Sequence, residues 1–453
     1  MTATAASAKP LAVVILAAGK GTRMRSDTPK VLHEIAGLPI VGHAAKAPAA
    51  LDPQKLVIVV GPGMEAIADS VPGAVAAVQH DRLGTAHAVL AAKDALSGFD
   101  GDLMILNGDV PLIRPETLAA LRTSLSGGAA VAVLGFHCHD DHAYGRLILD
   151  ADGQLDRIVE DKDATPEEKT STLCNSNAIV LAGAHAWDIL EAIDNDNAQG
   201  EYYLPDVVKV ARARGLGCTH SEAPEDEVHG INSRVELARA EGLLQARLRR
   251  AAMENGATLI APETVHFSHD TVLGRDVIVE PNVVFGPGVT VGDHVTIKGF
   301  SHLEGTQVRD GAVLGPYARL RPGTEIGVKA KIGNFVETKK AKIEDGAKVN
   351  HLSYIGDARV GTGANVGAGT ITCNYDGYDK HFTDIGAGAF IGSNTSLVAP
   401  VTIGDGGYTG SGSVITKDVT GDALAVERSV QKEVPGWAAR FRARKEEAKK
   451  KGA

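Results

Sequence analysis

The chain has 453 residues, a formal net charge of −10 and a sequence pI near 5.9. That length exceeds what one hydrophobic core organises and predicts two domains, while the acidic balance argues against a nucleic-acid or anionic-membrane protein, whose surfaces need excess Lys and Arg. The four cysteines, Cys138, Cys174, Cys218 and Cys373, lack the spacing of a disulfide scaffold or paired-Cys zinc site and suit a reducing cytoplasm.

In chain order, the first apolar run, Leu11 to Ala18 behind Lys9, is too short to span a bilayer and reads as a buried parallel strand. Its core Val13–Leu16 and the runs Leu56–Val60, Leu103–Leu106 and Val131–Leu134 alternate with helix-like segments up to about residue 230, the pattern of an α/β sheet. The first strand leads into Leu16-Ala17-Ala18-Gly19-Lys20-Gly21-Thr22-Arg23-Met24, with Pro29-Lys30 following. This string lacks the third glycine of a dinucleotide fingerprint and the Gly-Lys-Ser/Thr of a P-loop. Its chemistry is still that of phosphate binding: glycines admit backbone N–H groups to an anion, and Arg23 and Lys30 supply charge for a triphosphate. Asp109 closes a buried strand before Pro111, so its carboxylate belongs at the strand's C-terminal edge, where open α/β sheets bind ligands. The run His137-Cys138-His139-Asp140-Asp141-His142 invites a zinc reading, but its expected state is an exposed polar turn.

The Gly-Lys-Gly-Thr-Arg-Met loop with its Pro-Lys resembles the signature of sugar-nucleotide pyrophosphorylases. The resemblance continues through Gln79 with Leu83-Gly84-Thr85, Asn107-Gly108-Asp109, Tyr144-Gly145-Arg146, Glu160 to Asp163, Asn175 and Gly230-Ile231-Asn232. It implies that the loop from Leu16 to Gly19, with Lys30 and the Asn107-Gly108 turn, lines the nucleotide site. It further implies that Gln79, Gly84 and Thr85 hold uracil, that Gly145, Glu160 and Asn175 hold the sugar, and that Asp109 and Asn232 bind Mg²⁺. The implied reaction is in-line attack of a sugar phosphate on the α-phosphorus of UTP, with Arg23 and Lys30 as catalytic cations. Asn177 replaces the glycine usual in such families; Asn tolerates a left-handed backbone, so the turn is expected to survive.

Ser233 and Glu236 have capping-box spacing, and Leu237, Leu244, Leu248 and Ala251 form one stripe ahead of Asn255-Gly256. These signals predict a connecting helix of about 20 residues, roughly 30 Å long. Beyond it, aliphatic residues recur every six positions: Leu273, Val279, Phe285, Val291, Ile297, Leu303; then Val308, Leu314, Leu320, Ile326, Ile332; and again Ile385, Ile391, Leu397, Ile403, Thr409, Ile415. A six-residue period predicts a parallel β-helix with these side chains filling a prism. Breaks near Thr338 and over Cys373–Asp384 predict loops, where chemistry concentrates. The basic segment Arg440–Lys451 reads as a solvated helical tail.

Arg319-Leu320-Arg321-Pro322-Gly323, Gly333 to Glu337 with Lys339-Lys340, Asn350 to Asp357, and Asn365 to Gly377 are further motifs of this half. His351 beside Tyr354, amid Arg321 and Lys339, suits a general base, because a histidine is largely neutral near pH 7 and can take the proton of an attacking amine. Arg321 and Lys339 suit a sugar phosphate, Tyr354 and Asn365 sugar hydroxyls, and Lys380 is a further candidate. Cys373 is the rival nucleophile.

These motifs resemble the acetyltransferase domain of bacterial bifunctional N-acetylglucosamine-1-phosphate uridyltransferase/glucosamine-1-phosphate N-acetyltransferases. The period leaves the hand of the helix open and the right-handed crossover rule would favour the other one, but the resemblance implies a left-handed β-helix. It also implies an acetyl-CoA groove lined by Ala368, Asn374, Tyr375, Ser393, Ser411 and Arg428, and a cytoplasmic homotrimer. The expected fold is an α/β Rossmann-like nucleotidyltransferase domain over residues 1–232, a linker helix over 233–255, and a β-helix with C-terminal arm over 256–453. The expected activity acetylates glucosamine 1-phosphate with acetyl-CoA and couples the N-acetylglucosamine 1-phosphate to UTP, giving the UDP-sugar for peptidoglycan and lipid A precursors. One rival reading is a single-activity nucleotidyltransferase with a structural or regulatory β-helix; another is a pure scaffold, opposed by the triphosphate and Mg²⁺ residues.

Overall fold

The computed structural model describes residues 9–138, 144–197 and 199–451, and the chain divides between Leu248 and Arg249 into two compact units. His139, Asp140, Asp141 and His142 lie outside the described residues.

The first unit is built on a nine-stranded sheet whose spine runs Cys218–Ala223, Val131–His137, Leu173–Leu181, Asp102–Asn107, Leu11–Leu16, Lys55–Val60 and Val75–Val78. Leu173–Leu181 is antiparallel to both neighbours, and the other spine pairs are parallel. Continuous apolar runs suit strands covered on both faces. Alternate residues enter opposite cores: Ala12, Val14, Leu103 and Ile105 join one, and Leu11, Val13, Met104 and Leu106 the other. In register, Leu16 lies beside Asn107, so two strands deliver the glycine loop and Asp109 to the same C-terminal edge. The hairpin Arg146–Leu149/Leu155–Val159 joins the sheet through Leu173–Leu181, which bulges between Asn175 and Ile179. Asn177 sits in that bulge at φ 63°, the left-handed backbone expected of it.

The helix Arg234–Glu254 starts at the capping box, with the Glu236 backbone N–H donating to Ser233 Oγ at 3.3 Å. The Glu236 carboxylate reaches back to the Asn232 N–H at 2.6 Å, so the cap also fixes a residue of the site. Leu237 and Leu244 pack against Ile35, Ile40, Leu112 and Ile231. Ala251, expected on the same stripe, is exposed.

The second unit is a parallel β-helix of short strands, three to a coil. One face is a ten-stranded ladder; the other two are joined into a single fourteen-stranded sheet by Glu337–Ile343 and Tyr354–Val360, which bend from one face to the next. The break expected near Thr338 is therefore continuous strand, with Thr338 fully buried and hydrogen-bonded to Thr324 at 3.1 Å. Of the periodic positions, all but Leu273 are buried. Rungs follow at 17 or 18 residues, as in Val279, Ile297, Leu314, Ile332, Val349 and Val366, until Val366 pairs with Ile391 across the Cys373–Asp384 insertion. The basic helix Trp437–Lys451 buries no side chain.

Candidate functional sites

At the C-terminal edge of the first sheet, Leu16, Ala17, Ala18, Gly19, Lys30, Gln79, Gly84, Thr85, Asn107 and Asp109 line one cavity of about 300 Å³. Gly108 is tied to the end of the first strand, donating its N–H to the Leu16 carbonyl at 2.9 Å. Lys30 Nζ bridges two expected metal ligands, lying 2.5 Å from Asp109 Oδ2 and 2.9 Å from Asn232 Oδ1. Ile231 holds that arrangement, its N–H donating to the Asp109 carbonyl at 2.9 Å. A carboxylate and an amide oxygen aimed at one cation, beside a cavity open to phosphate oxygens and water, fit the preference of Mg²⁺ for hard oxygen donors.

The uracil-side residues are braced by backbone. Gly84 has φ 122°, and any Cβ there would collide with the Tyr202 backbone, so only glycine fits. Gln79 Nε2 donates to the Gly84 carbonyl at 3.1 Å, and Thr85 Oγ1 accepts from the Leu204 N–H at 2.9 Å. Gly145, Glu160 and Asn175 gather at the hairpin: the Asn175 N–H donates to the Gly145 carbonyl at 2.8 Å, and a Cβ on Gly145 would stand 3.3 Å from Glu160 Oε1. The Asn175 side chain is engaged at both ends by Asn177, donating to its Oδ1 at 2.7 Å and accepting its N–H at 2.9 Å. Burial, with Asp163, Asp206 and Asp161 nearby, pushes the Glu160 carboxyl above the ordinary range.

Arg23 lies apart from this group. It sits on the 3₁₀ turn Thr22–Met24, flanked by left-handed Gly21 and Arg25, and its side chain is exposed rather than on the cavity wall. The wall instead carries Arg82, whose Nε donates to the Ala18 carbonyl at 3.0 Å. Arg82 lies between Gln79 and the Leu83-Gly84-Thr85 motif, so its place in the string was the available signal. Of the histidine-rich run expected as an exposed turn, His137 instead ends the strand Val131–His137 and hydrogen-bonds Thr172 Oγ1 at 2.9 Å, and Cys138 is buried. Among the described residues no group of three or more His, Cys, Asp and Glu side chains has metal-site geometry.

On the β-helix, Arg321, Lys339 and Tyr354 collect on neighbouring rungs, Lys380 joins Lys339 from the Cys373–Asp384 insertion, and two acids not given a role from sequence accompany them. Arg321 pairs with Glu337 at 2.8 Å, Glu337 lies in register with Tyr354, and Lys339 lies in register with Gly356. Lys380, as hydrogen-bond partner and as like charge, holds Lys339 below the usual lysine value of 10.5; Arg321 adds to this and Asp357 opposes it. Such a crowd of cations suits an anionic group. The Lys380 ammonium also lies 5.7 Å from the Tyr375 ring centre. Asn374 donates to Asp357 Oδ2 at 2.5 Å. His351 Nδ1 is 2.6 Å from Asn334 Oδ1, whereas Cys373 Sγ lies 4.0 Å from the Ile371 carbonyl oxygen.

His351, expected amid Arg321 and Lys339, stands instead with Asn365 on the ten-stranded face, His351 in register with Asn334 and Asn365 between Lys348 and Phe390. Ala368, Ser393 and Ser411 form a third group at one corner. The Asn394 N–H donates to the Ala368 carbonyl at 2.7 Å, the Gly412 N–H to the Ser393 carbonyl at 2.8 Å, and Arg428 to the Ser411 carbonyl at 2.9 Å.

A phosphate-binding α/β unit followed by a β-helix carrying a histidine and a cation cluster defines a two-site transferase. Residues 13–201 match the MobA-like NTP transferase domain, and residues 270–305 and 382–417 match the bacterial transferase hexapeptide (six repeats). The bifunctional protein GlmU of Paramagnetospirillum magneticum is 59% identical over 97% of this chain and 98% of its own length. Those of Azorhizobium caulinodans and Xanthobacter autotrophicus are each 58% identical, over 96% and 98% of this chain and 98% and 100% of their own. The chain belongs to the family of bifunctional GlmU proteins. It is a bifunctional enzyme, with a nucleotidyltransferase unit followed by an acyltransferase unit in the left-handed β-helix of the hexapeptide transferases.

Proposed function

We propose that the β-helix acetylates glucosamine 1-phosphate with acetyl-CoA, and that the α/β unit transfers uridylyl from UTP to the resulting N-acetylglucosamine 1-phosphate, releasing diphosphate. The observation that carries this reading is the convergence of Lys30, Asp109 and Asn232 beside one cavity in the first unit, with a separate cation cluster in the second. The proposed division is residues 1–232 for uridylyl transfer, 233–255 for the linker and 256–453 for acetyl transfer.

In the first unit the loop Leu16–Gly19 receives the triphosphate, Gln79, Gly84 and Thr85 the uracil, and Gly145, Glu160 and Asn175 the sugar. Lys30 and Arg82 supply fixed cationic charge where the diphosphate leaves, and Arg23 reaches the phosphates by movement of its exposed turn. Mg²⁺ held by Asp109 and Asn232 would add Lewis-acid neutralisation of phosphate charge. In the second unit Arg321, Lys339 and Lys380 take the sugar phosphate, Tyr354 and Asn365 the sugar, and Ala368, Asn374, Tyr375, Ser393, Ser411 and Arg428 the coenzyme. His351 removes the amine proton as nitrogen attacks the thioester carbonyl.

A homotrimer is supported by the exposed stack of Phe300, Tyr317 and Phe335, with ring centres 5.0 and 5.1 Å apart, at the corner that continues to Leu352 beside His351. A cytoplasmic setting is supported by the sparse, irregular cysteine spacing, which lacks the pattern of a disulfide scaffold. Among the described residues no helix is long and apolar enough to cross a membrane. The test is product analysis with glucosamine 1-phosphate, acetyl-CoA, UTP and Mg²⁺. The expected products are free coenzyme A, diphosphate and UDP-N-acetylglucosamine; conversion of preformed N-acetylglucosamine 1-phosphate alone would leave a single-activity nucleotidyltransferase.

A further inference from the structure

We propose that Asn334 is a positioning residue for acetyl transfer, holding the His351 ring so that Nε2 is the nitrogen offered to the substrate amine. The proposal rests on the reading of His351 as the base. Asn334 and His351 are register partners on consecutive rungs of the ten-stranded face, and Asn334 Oδ1 lies 2.6 Å from His351 Nδ1. The same residue braces the chain beyond the histidine, because its carbonyl accepts the Leu352 N–H at 3.1 Å. Gly333 keeps the two rungs this close: a Cβ there would overlap the Asn350 carbonyl. Both side chains border a cavity of about 310 Å³ that also receives Lys298 and Lys331.

The amide oxygen can only accept, so it selects the tautomer with hydrogen on Nδ1 and leaves the Nε2 lone pair free. In the step this serves, the free amine forms the N–C bond to the thioester carbonyl while its proton passes to Nε2. The C–S bond then breaks, and the thiolate leaves as coenzyme A after taking the proton back from the imidazolium. A carboxylate at position 334 would also orient the ring, but its charge would favour the imidazolium and keep the base protonated to higher pH. A neutral acceptor sets the tautomer without that cost.

The test measures acetyl transfer against pH for the full-length wild type, Asn334→Ala, Asn334→Asp and His351→Ala. Uridylyl transfer from preformed N-acetylglucosamine 1-phosphate and the thermal unfolding curve report on folding. Asn334→Ala is expected to lose roughly 10- to 100-fold in kcat with little change in KM for glucosamine 1-phosphate, the cost of a misplaced reacting group. Asn334→Asp is expected to recover activity at alkaline pH, with the acidic limb of its profile moved up by about one unit or more. Wild-type kcat in Asn334→Ala alongside an inactive His351→Ala would overturn this proposal alone. Losses in both Asn334 variants with no movement of the acidic limb would reduce Asn334 to a structural role and overturn it equally. Wild-type acetyl transfer in His351→Ala would instead remove the reading on which the proposal stands.

Discussion

His351 and Cys373 are the rival candidates for base and nucleophile that the sequence offers in the β-helix, and their surroundings separate them. The imidazole is held by an acceptor amide at 2.6 Å, while the Cys373 Sγ lies 4.0 Å from the Ile371 carbonyl oxygen. Replacing His351 with Ala is expected to lower acetyl transfer by roughly 10²- to 10⁴-fold, the usual share of a general base, with partial rescue at high pH where more substrate amine is already free. Cys373→Ala should cost far less; an acetylated Cys373 trapped by mass spectrometry, with activity lost in that variant, would reverse the assignment. Lys339 offers a second residue-level reading. Its value is lowered first by Lys380 and further by Arg321, so as pH rises its charge is lost below the usual 10.5. Affinity for glucosamine 1-phosphate should therefore fall on the alkaline side earlier than an ordinary lysine would impose, and Lys380→Ala should move that fall to higher pH. KM for the sugar phosphate measured across the alkaline range decides it: coincident midpoints in the two proteins would count against the coupling.

At the scale of elements, the insertion between Cys373 and Asp384 is folded by its own acid. Asp376 Oδ1 accepts the Tyr378 and Asp379 N–H groups at 2.8 Å each, and Oδ2 lies 2.7 Å from His381 Nε2. His381 first, then those amides, hold the Asp376 carboxyl well below its ordinary 3.8. The sign follows from that depression: the carboxylate supports the loop above its unfolded value and is lost as pH falls through the lower folded one. Amide-exchange protection at Tyr378 and Asp379 should thus stay level from about pH 8 to 5 and fall only below about pH 4. Loss beginning near pH 6 would show that another group controls the loop. The insertion itself was legible, because six-residue phase is lost there. The continuity of Glu337–Ile343 was not: a strand bending from one face to the next also breaks the phase, and one-dimensional spacing cannot tell a bend from a loop.

For the whole molecule, the proposed division of labour predicts independence. Asp109→Ala should abolish uridylyl transfer and leave acetyl transfer nearly intact, because the carboxylate lies in the first compact unit and the cation cluster in the second. Proportionate loss of both activities in a folded protein would reject independent sites. By itself the sequence determined the two architectures, since a buried run such as Leu11–Leu16 and a six-residue aliphatic period are each consequences of which face must leave water. It also marked most of the residues that line the first cavity, because a tight glycine turn at the end of a buried strand is a local requirement written in consecutive residues. Tertiary structure alone decided the pairings. Lys30 meets Asn232 across 202 positions, Arg82 rather than Arg23 lines the cavity, and Asn334 meets His351 one coil away. Such contacts depend on strand register and on which way a turn points its side chain, and neither is set by the identity of any one residue.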